Sequence, residues 1–108
     1  MTTTFNERER GYENKFAHDQ ETEFKILARS NYLLGLWAAE KIHLTADSAE
    51  NYAQNLLEIG IQKNSKSLVQ EKLENDFANA GLEMSKQDIE AEAENFLKIA
   101  RDQVTNAG

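Results

Sequence analysis

Apolar and polar positions along the chain predict four amphipathic helices that follow a more polar N-terminal segment. The most apolar stretch runs from Leu33 to Ala39, contains the only tryptophan and carries no charge. It lies within a predicted helix, from about Phe24 to Ile42, that is apolar around most of its circumference near its middle. A helix of this kind is buried by neighbours on several sides, so we expect it to be the central element of the fold.

The spacing of apolar residues also predicts which side of this central helix faces the core. The expected inward positions are Phe24, Leu27, Leu34, Ala38 and Ile42, with Ile26, Leu33 and Trp37 on the flank. Asn31 lies on the same stripe, so its amide is expected to need a hydrogen-bond partner. Asp19 is expected to cap the start of the helix, and Gly35 to let another helix approach closely.

A second helix is predicted from about Ala46 to Ile59, after a capping Thr45. Gly60 stands where a left-handed residue would close this helix, and Ile61 would fold back as in a Schellman motif. The inward positions predicted for this and the two later helices are Ala49, Tyr52, Ala53, Leu56, Leu57, Leu68, Val69, Leu73, Phe77, Ile89, Ala93, Phe96, Leu97, Ala100 and Val104.

The third and fourth helices carry capping signals of the same kind. Ser65 is expected to cap the third helix, which should reach about Ala80 and close at a left-handed Gly81. Ser85 and Asp88 have the spacing of a capping box for a fourth helix that continues to about residue 104.

Short polar connections between these helices predict an all-α fold, a compact antiparallel four-helix bundle over residues 19–108 with a flexible N-terminal arm over residues 1–18. A chain of 108 residues is long enough for one such domain. The absence of proline, and the abundance of Ala, Leu, Glu, Lys and Gln, agree with helices throughout.

The arm has too few apolar side chains to order itself. Phe5, Tyr12 and Phe16 are spaced by seven and four residues, which places them on one face of a helix. Their burial would contribute ~1.5–3 kcal/mol each, whereas ordering the backbone costs ~1–2 kcal/mol for every residue of the arm. We therefore expect the arm to fold against a partner that buries this face, and then to continue straight into the central helix.

Charge and composition exclude several classes of function. The formal net charge of −7 disfavours binding to phosphate backbones, so no nucleic-acid partner is expected. The N-terminus lacks the apolar run of a signal peptide, and no stretch approaches the ~18 apolar residues of a membrane span. Without cysteine there is no disulfide, thiolate metal site or thiol nucleophile. These features predict a cytoplasmic protein without direct membrane insertion.

The sequence offers little that resembles a catalytic or metal site. His18 and His43 have no nucleophile in a recognisable arrangement, so no catalytic residue is predicted and the protein is not expected to be an enzyme. Glu40 and His43 have the spacing of one half of a di-iron site, but no second Glu-His pair exists. The acidic row from Glu90 to Glu94 is interpreted as a solvated helix face. No metal and no cofactor are expected.

Long blocks of the N-terminal part resemble the zeta subunit family, the natural inhibitor of the F-type ATP synthase in alphaproteobacteria. The similar segments are Phe5–Asp19, Phe24-Lys25, Ala28-Arg29 leading into Asn31, and Leu33–Glu40. The resemblance implies a four-helix bundle whose flexible arm inserts between a catalytic beta subunit and its alpha neighbour. There the arm would fold into a helix, reach toward the central rotor and block ATP hydrolysis.

The resemblance places the inhibitory, partner-binding role on most of the arm. The residues concerned are Phe5, Asn6, Glu7, Arg8, Glu9, Arg10, Gly11, Tyr12, Glu13, Lys15 and Phe16. The aromatic side chains would be apolar anchors, while Arg8, Arg10 and Lys15 would pair with acidic groups. Ser30 and Tyr32 stand where basic residues are expected in the family. The implied partner is the catalytic sector of the synthase, which would hold the protein at the periphery of the inner membrane.

A second interpretation is a helical bundle that senses a small ligand, such as a nucleotide, without catalysis. Arg29, Tyr32 and Leu36 share one side of the central helix and could line a shallow site. The glycines never cluster, so no phosphate-binding loop supports this interpretation.

Overall fold

The computed structural model describes the backbone of residues 2–107 and the side chains of residues 20–106. Within that part of the chain all regular structure is helical. The helices are α1 (Thr2–Lys41), α2 (Ala46–Gly60), α3 (Ser65–Asn79) and α4 (Lys86–Ala107). The predicted arm side chains, at residues 5–16, lie outside the described side chains. The division of the chain at residue 18 therefore stays a prediction.

The four helices form a ring in which each contacts its neighbours in the chain. Helix α1 packs against α2 and α4, and α3 packs against the same two helices from the opposite side. Glu23, near the start of the described side chains of α1, contacts Arg101 near the end of α4, as antiparallel packing requires. The predicted all-α four-helix bundle is confirmed.

A single apolar core lies at the centre of this ring. Its fully or nearly buried members include Leu34, Ala38, Leu56, Val69, Leu73, Phe77 and Ile89. Trp37 of α1 meets Phe77 of α3 edge-on, with 5.6 Å between ring centroids, and lies 6.3 Å from the ring of Phe96 on α4. Aromatic pairs at these distances add ~0.5–1.5 kcal/mol beyond the area they bury, so this cluster ties three helices together.

Two glycines allow α1 and α2 to approach closely. A Cβ added at Gly35 would lie 2.7 Å from the backbone Cα of Ala53, which confirms the predicted close approach. Gly60, in contrast, was expected to be a left-handed helix terminus, and this prediction is wrong. Gly60 is the buried last residue of α2, and the side chain of Asn31 occupies the space that its Cβ would need.

Left-handed residues close α1 and α3. Gly81 has φ +77°, and the amide of Leu82 donates to the carbonyl oxygen of Phe77 at 2.9 Å, which confirms the predicted Schellman motif. His43 adopts φ 65°, and the amide of Leu44 donates to the carbonyl oxygen of Ala39 at 2.8 Å. The same motif therefore ends α1 without a glycine.

Helix starts agree only partly with the predicted caps. The amide of Asp88 donates to the Ser85 hydroxyl at 3.0 Å, as the capping box predicts. Thr45 precedes α2 but forms no side-chain cap, and Asn64, rather than Ser65, precedes α3. Asp19 is not a cap, since α1 passes through it without interruption.

Four side chains predicted to point inward are exposed. Phe24 is 53% exposed, and Leu27, Leu68 and Leu97 are 37–40% exposed. Helix α2 ends beside Asn31, so the part of α1 that precedes this level has fewer helices around it. There Ile26, which was placed on the flank, is the buried large apolar residue.

Candidate partner-binding site and the base of the arm

The predicted inhibitory residues belong to the N-terminal part of α1. The backbone from Thr2 to Lys41 is one helix, so the arm and the central helix of the bundle are parts of a single element. Because the side chains of residues 1–19 are not described, the contacts assigned to residues 5–16 stay a prediction. The structure does describe the stretch that joins the arm to the bundle, residues 20–30.

An ion pair joins this base of the arm to α4. Both terminal nitrogens of the Arg101 guanidinium donate to the Glu23 carboxylate, at 2.7 and 3.2 Å. The hydrogen bond from Arg101 holds the pKa of Glu23 below its ordinary value, while the same bond raises the pKa of Arg101. Both side chains are about half exposed, so the pair fixes geometry more than it adds stability.

Further contacts with α4 lie close to this pair. Arg29 donates from Nε to the side-chain oxygen of Gln103 at 2.8 Å. Ile26 and Ala100, which neighbour the ion pair on α1 and α4, are 1% and 0% exposed. The base of the arm is therefore held by polar bonds on both sides of a dry contact. Sequence reasoning missed the polar bonds, because their partners are more than seventy residues apart.

A groove opens between α1, α3 and α4. Its cavity volume is about 330 Å³. The lining residues are Leu27, Ser30, Asn31, Leu34, Ser65, Lys66, Val69, Gln70, Leu73, Ile89, Glu90, Ala93, Glu94 and Leu97. The floor is mainly apolar, but Ser30 and Asn31 are almost completely buried in it. Asn31 donates from Nδ2 to the carbonyl oxygen of Leu27 at 3.0 Å, so the predicted hydrogen-bond partner exists.

The residues expected to line a small-ligand site bind neighbouring helices instead. The Tyr32 hydroxyl donates to the Glu50 carboxylate of α2 at 2.5 Å, and this bond raises the pKa of Tyr32. The guanidinium of Arg29 lies 5.7 Å from the centre of the Tyr32 ring and is bound to Gln103. Leu36, the third residue of that set, is partly buried. The described groove lies on a different side of α1.

A second polar cluster links α2 to α3. The Tyr52 hydroxyl donates to the Asp76 carboxylate at 2.6 Å, and Lys72 pairs with the same carboxylate at 3.0 Å. The Lys72 ammonium also lies 4.9 Å from the centre of the Tyr52 ring. Burial is the main cause that raises the pKa of Tyr52 far above its ordinary value, and the hydrogen bond to Asp76 is the second cause. This cluster is a structural link between two helices.

The described residues contain no arrangement suited to a metal ion. Among their side chains, no group of three or more His, Cys, Asp or Glu residues is close enough to bind one. Glu40 and His43 are both exposed, as are Glu90 and Glu94 of the acidic row. Over the same part of the chain, no helix combines the length and the apolar character that crossing a membrane requires.

Among the comparisons with known proteins, one gives a match. A family model described as ATPase inhibitor subunit zeta matches residues 1–103. This range includes the whole arm and most of α4, including both members of the Glu23–Arg101 pair. No curated protein and no solved structure gives a significant match.

Proposed function

The chain belongs to the ATPase inhibitor subunit zeta family, and we propose that it inhibits ATP hydrolysis by F-type ATP synthase through its N-terminal arm. The arm enters between a catalytic beta subunit and the adjacent alpha subunit and reaches toward the central rotor. The family match over residues 1–103 carries this proposal, because it extends through the arm as well as through the bundle.

The composition of the arm supports a binding role of this kind. Phe5, Tyr12 and Phe16 share a helical face that is apolar enough to anchor a helix in a cleft between subunits. The basic residues Arg8 and Arg10 pair with acidic groups of the cleft, where reduced solvation strengthens such contacts. At ~1.5 Å per residue, an arm of eighteen residues is ~27 Å long, enough to cross a subunit interface.

The mechanism is conformational rather than chemical. Rotary catalysis moves the cleft through several states, and an arm that binds one of them more tightly shifts the population toward that state. The molecule measures 26 and 20 Å across its two shorter axes. The bundle is therefore too wide to follow the arm and stays outside the cleft. The protein therefore stops turnover without taking part in catalysis, and it reaches the membrane only through the synthase.

The first experiment compares the full-length protein with a fragment of residues 19–108. ATP hydrolysis by the purified catalytic sector is measured at increasing concentrations of each. We expect the full-length protein to inhibit and the fragment to be inactive. Equal inhibition by the two, or inhibition by neither, would contradict the role of the arm.

A matched set of substitutions locates the binding face. Phe5→Ala, Tyr12→Ala and Phe16→Ala should each weaken inhibition while leaving the melting temperature unchanged, because these residues act only against the partner. Phe24→Ala is the control, since Phe24 is an aromatic residue of the same helix but lies outside the arm and is 53% exposed. The Phe24→Ala variant should inhibit as strongly as the natural protein. A large fall in melting temperature in the arm variants would place those residues in the core instead.

A further inference from the structure

The aromatic face of the arm continues along α1 into the bundle. Counted from Phe5, alternating steps of seven and four residues lead from the arm to the core. The positions reached are Phe5, Tyr12, Phe16, Glu23, Leu27, Leu34 and Ala38. Steps of seven and four return to nearly the same side of an α-helix, so these positions form one longitudinal stripe.

The described half of this stripe faces the groove and α4. Leu34 and Ala38 are buried in the core, and both Leu27 and Leu34 line the groove. Glu23, the next position toward the arm, binds Arg101 of α4. By register, the arm positions of the stripe lie on the same side of the helix as α4. A partner that covers the last of these arm positions would therefore lie beside the end of α4.

The length of α4 beyond Arg101 shows how far this helix extends toward the arm. Helix α4 continues for six residues beyond Arg101, to Ala107. At ~1.5 Å per residue these six residues extend α4 ~9 Å past the ion pair. In antiparallel packing the same distance on α1 leads from Glu23 to about residue 17. By this count, α4 is long enough to run alongside α1 as far as the point where the arm begins.

We propose that the last residues of α4, from Arg101 to residue 106, position the inhibitory arm. They fix the rotation of α1 through the Glu23–Arg101 pair, so that the arm aromatics point toward the partner surface. Their end meets the partner and limits how far the arm enters the cleft. This inference rests on the proposed function. It assigns to the Glu23–Arg101 pair and to the end of α4 the role of positioning the inhibitory arm.

The cost of starting a helix gives this contact its physical role. The first turn of a helix is expensive to form, whereas each residue added to an existing helix is nearly neutral. With Ile26 buried and Glu23 bound to Arg101, α1 is held in helical form up to the edge of the arm. The arm can then continue this segment as a helix against its partner, in the register that α4 imposes.

The test uses charge reversal in the full-length protein. Arg101→Glu places two carboxylates together, whereas the double variant Glu23→Arg/Arg101→Glu restores the pair with the charges exchanged. Lys98→Glu is the matched control. It makes the same charge change on the exposed surface of α4, and the ion pairs among the described residues do not include Lys98. The measurements are amide hydrogen exchange over residues 20–26 and inhibition of ATP hydrolysis.

We expect Arg101→Glu to speed exchange at these amides and to raise the inhibitory concentration, each by about threefold to tenfold, as repulsion replaces a surface pair. The double variant should recover both values, and Lys98→Glu should change neither. Faster exchange with unchanged inhibition would overturn the positioning role, as would an equal loss in Lys98→Glu. If the natural protein inhibits and Arg101→Glu inhibits equally well, only this inference fails. If the natural protein does not inhibit, the proposed function fails as well.

Discussion

The two described parts of α1 differ in how many helices surround them. Around Leu34 and Ala38, α1 is enclosed by the core, and these side chains are 1% and 0% exposed. Between residues 20 and 30 it lies along α4, and both Phe24 and Leu27 are exposed. The same kind of apolar residue on the same helix is therefore buried at one level and exposed at another. Burial is set by the number of neighbouring elements, which hydropathy alone does not reveal.

This difference matches the roles proposed for the two parts. The enclosed part stabilises the fold, whereas the open part is proposed to direct a segment that binds another protein. A region held mainly on one side opens more readily than the core, because fewer buried contacts must be broken. The following predictions test the comparison, beginning with the largest expected effect.

The largest difference between the enclosed and open parts of α1 is expected when one leucine of each part is replaced by alanine. Leu34→Ala removes a fully buried side chain and should lower the free energy of unfolding by ~2–5 kcal/mol. Leu27→Ala, one stripe position nearer the arm, makes the same change at a residue that is 38% exposed and should cost ~1 kcal/mol. Urea denaturation of both variants measures the difference. Equal losses would show that the base of the arm is as enclosed as the core.

Glycine substitutions should show how tightly the enclosed part is packed. Gly35→Ala directs a Cβ at the backbone of Ala53, which cannot move aside, and should cost ~1–3 kcal/mol. At Gly60, the three atoms nearest to an added Cβ all belong to the side chain of Asn31. The double variant Gly60→Ala/Asn31→Ala should therefore recover part of the stability lost in the single variant. No comparable rescue is expected for Gly35→Ala, because the backbone of Ala53 cannot be removed by a substitution. Melting temperatures of the single and double variants measure the recovery.

Alkaline pH should affect the enclosed part through Tyr52. Because the folded-state pKa of Tyr52 is raised, its contribution to stability is complete below the ordinary pKa of 10.0 and declines as the pH rises above it. Tyr52→Phe should lower the free energy of unfolding at neutral pH by ~0.5–1.5 kcal/mol and reduce the alkaline decline. Urea denaturation between pH 7 and pH 11 measures both effects. An unchanged alkaline decline in Tyr52→Phe would exclude this phenol as its source.

Acid should affect the open part, and this is the smallest effect expected. The pKa of Glu23 is lowered from 4.5, so its pairing with Arg101 is complete above that value and is lost as the pH falls through the folded-state pKa. Amides of residues 20–26 should then exchange faster relative to those around Leu34, after correction for the intrinsic pH dependence of exchange. Glu23→Gln should remove this acid response. A response that persists in the variant must come from other groups.

Much of the fold could be predicted from local sequence signals. Gly81 and the Ser85–Asp88 spacing specify their helix ends within a few residues of chain, and the structure confirms both. Gly60 has a similar local context but a different role, because the deciding contact is with Asn31 of another helix. His43 closes α1 without the glycine by which such an end is usually recognised.

The candidate site could be predicted only in part. The resemblance to the zeta family is confirmed by the family match, whereas the face formed by Phe5, Tyr12 and Phe16 stays a prediction from their spacing. The contact between Glu23 and Arg101 could not be predicted, since both are ordinary surface charges until α4 is placed beside α1. The exposure of Phe24 was likewise missed, because periodicity does not indicate where a neighbouring helix ends.

The eleven-residue spacing of the α1 stripe also determines how the arm would leave its partner. Eleven residues at ~100° each turn the helix by ~1,100°, only ~20° more than three full turns. From position 5 to position 27 the stripe therefore drifts by ~40° over ~33 Å and runs almost parallel to the helix axis. In the proposed binding mode, an arm with such a face would slide out lengthwise with little twisting. Because the slide displaces Phe5, Tyr12 and Phe16 by the same distance, their contacts would break together rather than one after another.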